Sequence, residues 1–172
     1  ETSADYLECL LTLGGWMLKL SGLAKTAEQG CALMHERIKD GSGLRIFREM
    51  VKAQGGKTSV IDDVSLLPKA KRSRAIHSTQ NGFITQLDAR KIGHAAVLLG
   101  AGRAHKEQKL DYGAGLELIR KCGDQVKNRE LLAVIYAADD AKLFLGEKEY
   151  RAALAIGPKP PPRRSVIIEV LK

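Results

Sequence analysis

Leu7, Leu10, Leu13, Met17 and Leu20 recur at steps of three and four residues, which predicts a helix with one apolar face. Gly14 and Gly15 interrupt the run. Glycine weakens a helix interior, so its presence here predicts close packing against a second helix. Thr26 and Gln29 have capping-box spacing, and Ala27, Cys31, Met34 and Ile38 line one side of the helix that follows. Asp40-Gly41-Ser42-Gly43 then breaks the chain and offers Ser42 as an N-cap. Leu44, Phe47, Met50 and Val51 predict a third amphipathic helix, closed by Gly55-Gly56.

From Lys57 to Pro68 the pattern is that of a loop. Beyond it the apolar period shortens. Ala75 to Ser78 and Gly82 to Leu87 read as strands around the turn residues Gln80-Asn81-Gly82. Ala89 to Leu99 predicts a short helix, ended sharply by Gly100-Ala101-Gly102-Arg103. Leu116 to Arg120 and Leu131 to Tyr136 read as further strands, with a turn-rich stretch from Cys122 to Asn128 between them. Asp140 to Ala155 has helical spacing. Gly157-Pro158-Lys159-Pro160-Pro161-Pro162 predicts a stiff extended connector, and the β-branched run Ser165 to Leu171 a last strand. The fold class expected is α+β: a helical segment over residues 1–56, a linker over 57–68, and a small β-rich domain of barrel-sandwich type over 69–172.

At 172 residues the chain can bury one sizeable core or two small ones, and with only 5% aromatics that core must rest on Leu, Ile, Val and Ala. The net charge of +8 permits a polyanionic partner. Its one dense cluster is Lys69, Lys71, Arg72 and Arg74. A nuclear-localisation or nucleic-acid patch of this kind would need stacking aromatics, zinc spacing or a known module beside it, and none accompanies it. The cluster reads as a solvated loop and strand edge, with no nucleic-acid partner expected. A further reading is that the excess charge complements an acidic piece of protein outside this chain.

Cys9, Cys31 and Cys122 are odd in number and widely spaced, which suits a reducing, cytoplasmic compartment. The most apolar run, Leu10 to Ala24, is too short to cross a bilayer and contains Lys19, so no membrane partner is expected. No signal-peptide pattern is visible, and a start at Glu1 suits a fragment or a processed product. His35, His77, His94 and His105 share no ligand spacing, so no metal site is expected. Gly100-Ala101-Gly102 lacks the third glycine and the βαβ setting of a dinucleotide fingerprint. The proline stretch reads as a rigid spacer in preference to an SH3-type ligand.

Two segments carry more than fold class. One is Asp40-Gly41-Ser42-Gly43-Leu44 continuing to Ala53-Gln54-Gly55-Gly56. The other runs from Ile92-Gly93 through Leu99-Gly100-Ala101-Gly102-Arg103 to Lys106-Glu107, Leu110-Asp111 and Gly113-Ala114-Gly115. In order and spacing they resemble the thymidine phosphorylase or pyrimidine nucleoside phosphorylase family, over about Tyr6 to Tyr136 and as a C-terminal portion only. The resemblance implies that the helical segment belongs to a larger α/β domain. It also implies a homodimeric pentosyltransferase of pyrimidine salvage, in which phosphate attacks C1′ of a nucleoside with no organic cofactor. Such chemistry needs a grip on the phosphate and donors on the base carbonyls.

Neither set is legible in this chain. His77-Ser78-Thr79-Gln80-Asn81 echoes the family's phosphate-binding loop in letters but stands in a β-rich context. The base-holding groups, and those some members use for a structural monovalent cation, belong upstream of Glu1. No catalytic or metal-binding residue is therefore assigned, and the chain alone is expected to be inactive. A non-catalytic binding or scaffold protein that keeps this fold is the alternative. In the family the loop here formed by Gly100, Ala101, Gly102, Arg103, Ala104, His105 and Lys106 lies at the cleft edge. Its two glycines and fixed positive charge suit a lid.

Cys122-Gly123-Asp124-Gln125-Val126 followed by Leu131 to Ile135 is similar to the pattern of biotinyl and lipoyl carrier domains. The position of their modified lysine reads Ala137-Ala138-Asp139-Asp140 here. That favours the barrel-sandwich fold and argues against a swinging arm.

Overall fold

The computed structural model describes residues 3–103, 105–162 and 165–171. The chain divides into two compact units: Glu1–Leu66 with Arg164–Lys172, and Leu67–Arg163.

The first unit is helical, with α1 (Ala4–Leu20), α2 (Ala27–Lys39), α3 (Ser42–Ala53), a one-turn α4 (Ser59–Asp62) and a 3-10 turn at Val64–Leu66. The last two stand in the stretch expected to be a loop. Arg48 on α3 clamps α4 with a two-pronged contact to the Asp62 carboxylate, its Nη1 at 2.9 Å from Oδ2. Residues 40–42 depart from expectation in one respect. The N-cap position of α3 is Gly41, Ser42 is the first residue of the helix, and Asp40 Oδ1 just ahead of the cap accepts the Ser42 N–H at 2.8 Å. Thr26 does cap α2, its Oγ1 accepting the Gln29 N–H at 3.2 Å, while Gln29 Oε1 accepts from the backbone N–H of Lys25.

Helices α1 and α2 meet through glycine. Gly14, Gly15 and Gly30 are the buried residues of the pair, and the Gly15 backbone lies directly on Gly30. Met34 covers Gly14, and Cys31 Sγ donates to the Leu11 carbonyl at 3.1 Å. This corrects the expected apolar face. With the backbones touching at glycine, Leu13, Met17 and Leu20 point away and are 58%, 70% and 81% exposed. Helix α3 is equally bare: Leu44, Phe47 and Met50 stay about half exposed, and none of its residues is buried.

The second unit holds β1 (Arg72–His77), β2 (Gly82–Leu87), α5 (Ala89–Leu99), β3 (Gly115–Leu118), β4 (Gln125–Val126), β5 (Leu131–Ala137), α6 (Asp140–Ala153) and β6 (Leu154–Gly157). Two three-stranded antiparallel sheets result, ordered β1-β5-β3 and β4-β2-β6. The α+β class stands, and no barrel closes among the described residues. The turn at Gln80-Asn81-Gly82 makes no hairpin, because β1 and β2 enter different sheets.

Strands β4 and β6 are additions to the expected elements. Leu154 and Ala155, expected in a helix, begin β6, because α6 stops at Ala153 and Leu154 takes extended backbone. The run 165–171 is not a strand. It finds no ladder partner, and β-branched residues alone do not hold an isolated strand.

Both sheets and both helices feed one core of Ile76, Ile84, Leu99, Val126, Leu132, Ala133, Ile135, Ala137, Leu143 and Tyr150. Gly146 brings α6 against the Leu99 side chain on α5. The Tyr150 hydroxyl is buried and has no hydrogen-bond partner among the described residues, and burial pushes its pKa up. An unsatisfied buried hydroxyl costs roughly 1–3 kcal/mol. Tyr150→Phe is therefore expected to hold or raise the free energy of unfolding of this unit in urea, whereas a drop of about 1 kcal/mol or more would reveal a partner for the hydroxyl.

Candidate functional site

Loop 100–114 leaves the C-terminus of α5. Gly100 adopts φ 113°, a left-handed conformation that glycine alone takes without strain, and so turns the chain away. The N–H groups of Gly100 and Ala101 close the helix on Val97 and Ala96, each at 3.0 Å. Eleven residues on, the Asp111 N–H donates to the Gly100 carbonyl at 3.0 Å, so the two ends of the loop meet. Asp111 Oδ1 then accepts the Gly113 N–H at 3.0 Å.

Of the cleft-edge residues expected from sequence, Gly100 is buried as the anchor, while Arg103, His105 and Lys106 are exposed. Ala104 lies outside the described residues. His105 Nδ1 stands 3.6 Å from Glu107 Oε2, both side chains in solvent. Arg103 has no acidic partner among the described residues. The loop thus has ends joined by a hydrogen bond, with Arg103, His105 and Lys106 exposed between them.

The echo of a phosphate loop at 77–81 is structural. Ser78, the one buried polar residue of the described core, spends its groups on the fold. Its Oγ donates to the Gln80 carbonyl at 2.7 Å and its N–H to the Glu130 carbonyl at 2.8 Å, while its carbonyl accepts the Arg129 N–H at 2.9 Å. Asn81 Oδ1 accepts the Asn128 N–H at 2.8 Å. Neither donor of Ser78 is left for a ligand. Glu130 is spent in the same way. The Lys127 N–H first, then the Arg120 guanidinium, hold its carboxyl below the ordinary range.

At the carrier-like position β5 ends at Ala137, and Asp139 caps α6 by accepting the Lys142 N–H at 2.9 Å. A helix stands where a carrier domain has its hairpin tip, so no lysine is presented there. His94 contacts Glu149 at 3.1 Å. Among the described residues no group of three His, Cys, Asp or Glu is placed to hold a metal. No helix among them is long and apolar enough to cross a membrane.

Arg74 of the basic cluster turns inward to Glu147, Nη1 to Oε2 at 3.1 Å, and Arg151 reaches the same carboxylate at 2.8 Å. Burial raises the Glu147 pKa, but the two guanidinium groups outweigh it and hold the carboxyl below its ordinary value. Lys69, Lys71 and Arg72 remain outside that network and exposed. Sequence gave no sign that they lie beside loop 100–114. Gly113 packs on the backbone of Lys69 and Ala70 so tightly that a methyl group in place of its hydrogen would stand 2.5 Å from the Ala70 nitrogen. A close approach of this kind between positions more than forty residues apart leaves no trace in periodicity.

Residues 83–157 match the family described as pyrimidine nucleoside phosphorylase C-terminal domain. The chain is 40% identical over 151 residues to a pyrimidine-nucleoside phosphorylase of Geobacillus stearothermophilus, which covers 86% of this chain and 35% of that protein. It is 39% identical over 137 residues to the pyrimidine-nucleoside phosphorylase of Bacillus subtilis (strain 168), covering 80% and 32%. The chain spans about a third of the length of the curated relatives it matches.

Proposed function

We propose, for a chain that belongs to the pyrimidine nucleoside phosphorylase family as a C-terminal portion, that it completes an enzyme of reversible pyrimidine nucleoside phosphorolysis. Phosphate attacks C1′, the bond from C1′ to the base breaks, and the products are the free base and a pentose 1-phosphate. The observation that carries this reading is the match over 151 residues, which runs through most of the chain and does not stop at the matched domain.

Within that enzyme the β-rich unit supplies a self-contained core and loop 100–106 at the cleft edge. The helical unit supplies apolar faces, on α1 and α3, that other parts of the enzyme cover. The donors for phosphate and for the base carbonyls come from the two thirds of the relatives' length that this chain does not span. The assembled enzyme is a cytoplasmic homodimer without a nucleic-acid partner. A scaffold role is the second reading, favoured by the closed core of the β-rich unit, which needs no catalytic partner to fold.

The test joins this chain to the part of the Geobacillus stearothermophilus relative outside the matched region and measures base release from thymidine and uridine with phosphate. Base release that depends on phosphate supports the reading. A folded, monodisperse fusion with no activity on either nucleoside sinks it and leaves the scaffold role. In the active fusion, Arg103→Ala is expected to lower kcat/KM about tenfold, equivalent to losing one charge-assisted contact of roughly 1.4 kcal/mol. An unchanged kcat/KM removes Arg103 from the cleft edge.

A further inference from the structure

We propose that residues 165–171 form a strand on the open edge of a sheet in the part of the enzyme that this chain does not span. The run Ser165-Val166-Ile167-Ile168-Glu169-Val170-Leu171 holds five apolar residues and a single charge. Four of the five are β-branched, which crowds a helix and suits a pleated sheet. Yet the run is neither helix nor strand, and Ile168 and Leu171 are 96% and 86% exposed.

The backbone of the run is as bare as its side chains. No hydrogen bond joins any of its seven residues to another described residue. Covering these side chains takes the backbone N–H and C=O groups out of water too, and buried groups of that kind need partners. An apolar groove would meet the side chains alone. A sheet edge meets both needs, because its ladder takes the backbone while its two faces take alternate side chains.

The sheets of this chain are poor hosts. Four prolines in residues 158–162 stiffen the connector and remove the N–H groups that would continue β6. Beyond it the run groups with the helical unit, not with the unit that holds both sheets. A second copy of the chain fits no better. Its edge strands β3, β4 and β6 have four, two and four residues, and its edge strand β1 carries Arg72 and Arg74. Short and charged edges of this kind discourage pairing.

The pattern of the run indicates the kind of sheet that suits it. A strand with one face in water alternates apolar and polar residues, whereas here Val166, Ile167 and Ile168 are consecutive, as are Val170 and Leu171. Near-continuous apolar runs belong to strands covered on both faces, as in α/β sheets. The family resemblance puts the helical unit in a larger α/β domain, and about two thirds of the relatives' length lies outside this chain. The pairing rests on the proposed enzyme in one respect, since the rest of that enzyme supplies the sheet.

Hydrogen–deuterium exchange, read by mass spectrometry on C-terminal peptides, compares the 172-residue chain with the fusion described above. Residues 165–171 are expected to exchange at about the unprotected rate in the chain and at least about a hundredfold more slowly in the fusion. The double variant Ile167→Pro/Ile168→Pro removes a ladder N–H whichever of the two residues faces the partner. In the fusion it should return the run to fast exchange and leave peptides of the β-rich unit unchanged.

A folded fusion whose residues 165–171 exchange as fast as in the chain alone would overturn the proposal. So would protection that appears in the chain alone as its concentration rises, which would assign the strand to a second copy. Where the fusion does not fold, the two parts expressed together take its place, and absence of any complex between them overturns the proposal as well. Failure of the phosphorolysis reading shows instead as a folded fusion without activity, whatever the state of residues 165–171, so the two outcomes are separate.

Discussion

Incubated alone with thymidine and phosphate, the 172-residue chain is expected to release no thymine above the uncatalysed rate. Enzymes accelerate their reactions by at least about a million-fold, which corresponds to removing roughly 8 kcal/mol or more from the barrier. Charge that builds on a leaving pyrimidine and on the attacking phosphate must be met by preorganised donors in a site closed to water. The described residues hold no such cluster. Ser78, their one buried polar residue, is fully engaged by the fold, and the cations of loop 100–114 stand in solvent at high dielectric. The assay is base release followed by absorbance or chromatography on chain purified away from any host phosphorylase. Phosphate-dependent release that copurifies with the chain through several columns would show that the required groups are here.

Replacing Gly30 by alanine is expected to destabilise the helical unit, although alanine is the better helix former by about 1 kcal/mol. A methyl group on Gly30 would stand 2.8 Å from Gly15 Cα and collide with the Gly15 carbonyl oxygen. Backbone cannot swing aside as a side-chain tip can, so α1 and α2 must separate and lose the contacts around the crossing. Overpacking of this kind typically costs 1–3 kcal/mol, and the cost is expected to exceed the propensity gain. Gly93→Ala is the control: Gly93 stands exposed in α5 with nothing within 4 Å of the new methyl group. It should be neutral or stabilising by up to about 1 kcal/mol. Denaturant unfolding followed by far-ultraviolet circular dichroism reads both variants. If Gly30→Ala proves as benign as Gly93→Ala, the helix crossing described here is wrong.

Elements with local punctuation were legible from sequence, and elements made by distant pairing were not. Asp88 accepts from the N–H groups of Arg90 and Lys91 and Gly100 turns left-handed, so both ends of α5 are written in its own residues, and its extent matches expectation. The glycine pair at 14 and 15 announced a close helix contact in the same local way. Pairing across sheets follows another rule. Nothing near His77 says that β1 lies on β5 more than fifty residues away while β2 joins the other sheet. Leu154 keeps helical spacing with Leu143 and Leu145, and that concealed the switch to β6. At the candidate site, the loop was visible through Gly100 and Arg103. Its neighbour was not, because the contact of Gly113 with Lys69 and Ala70 depends on a missing side chain and on distance in the fold.

The glycine crossing of α1 and α2 has a consequence for the chain's fate inside a cell. Because the backbones touch there, the large side chains of α1 are turned outward, and Leu13, Met17 and Leu20 form a greasy strip one turn apart. Strips of this kind are what chaperones hold and quality-control proteases use to find unassembled polypeptides. Until something covers that strip, such surveillance has a handle that the closed core of the β-rich unit does not offer.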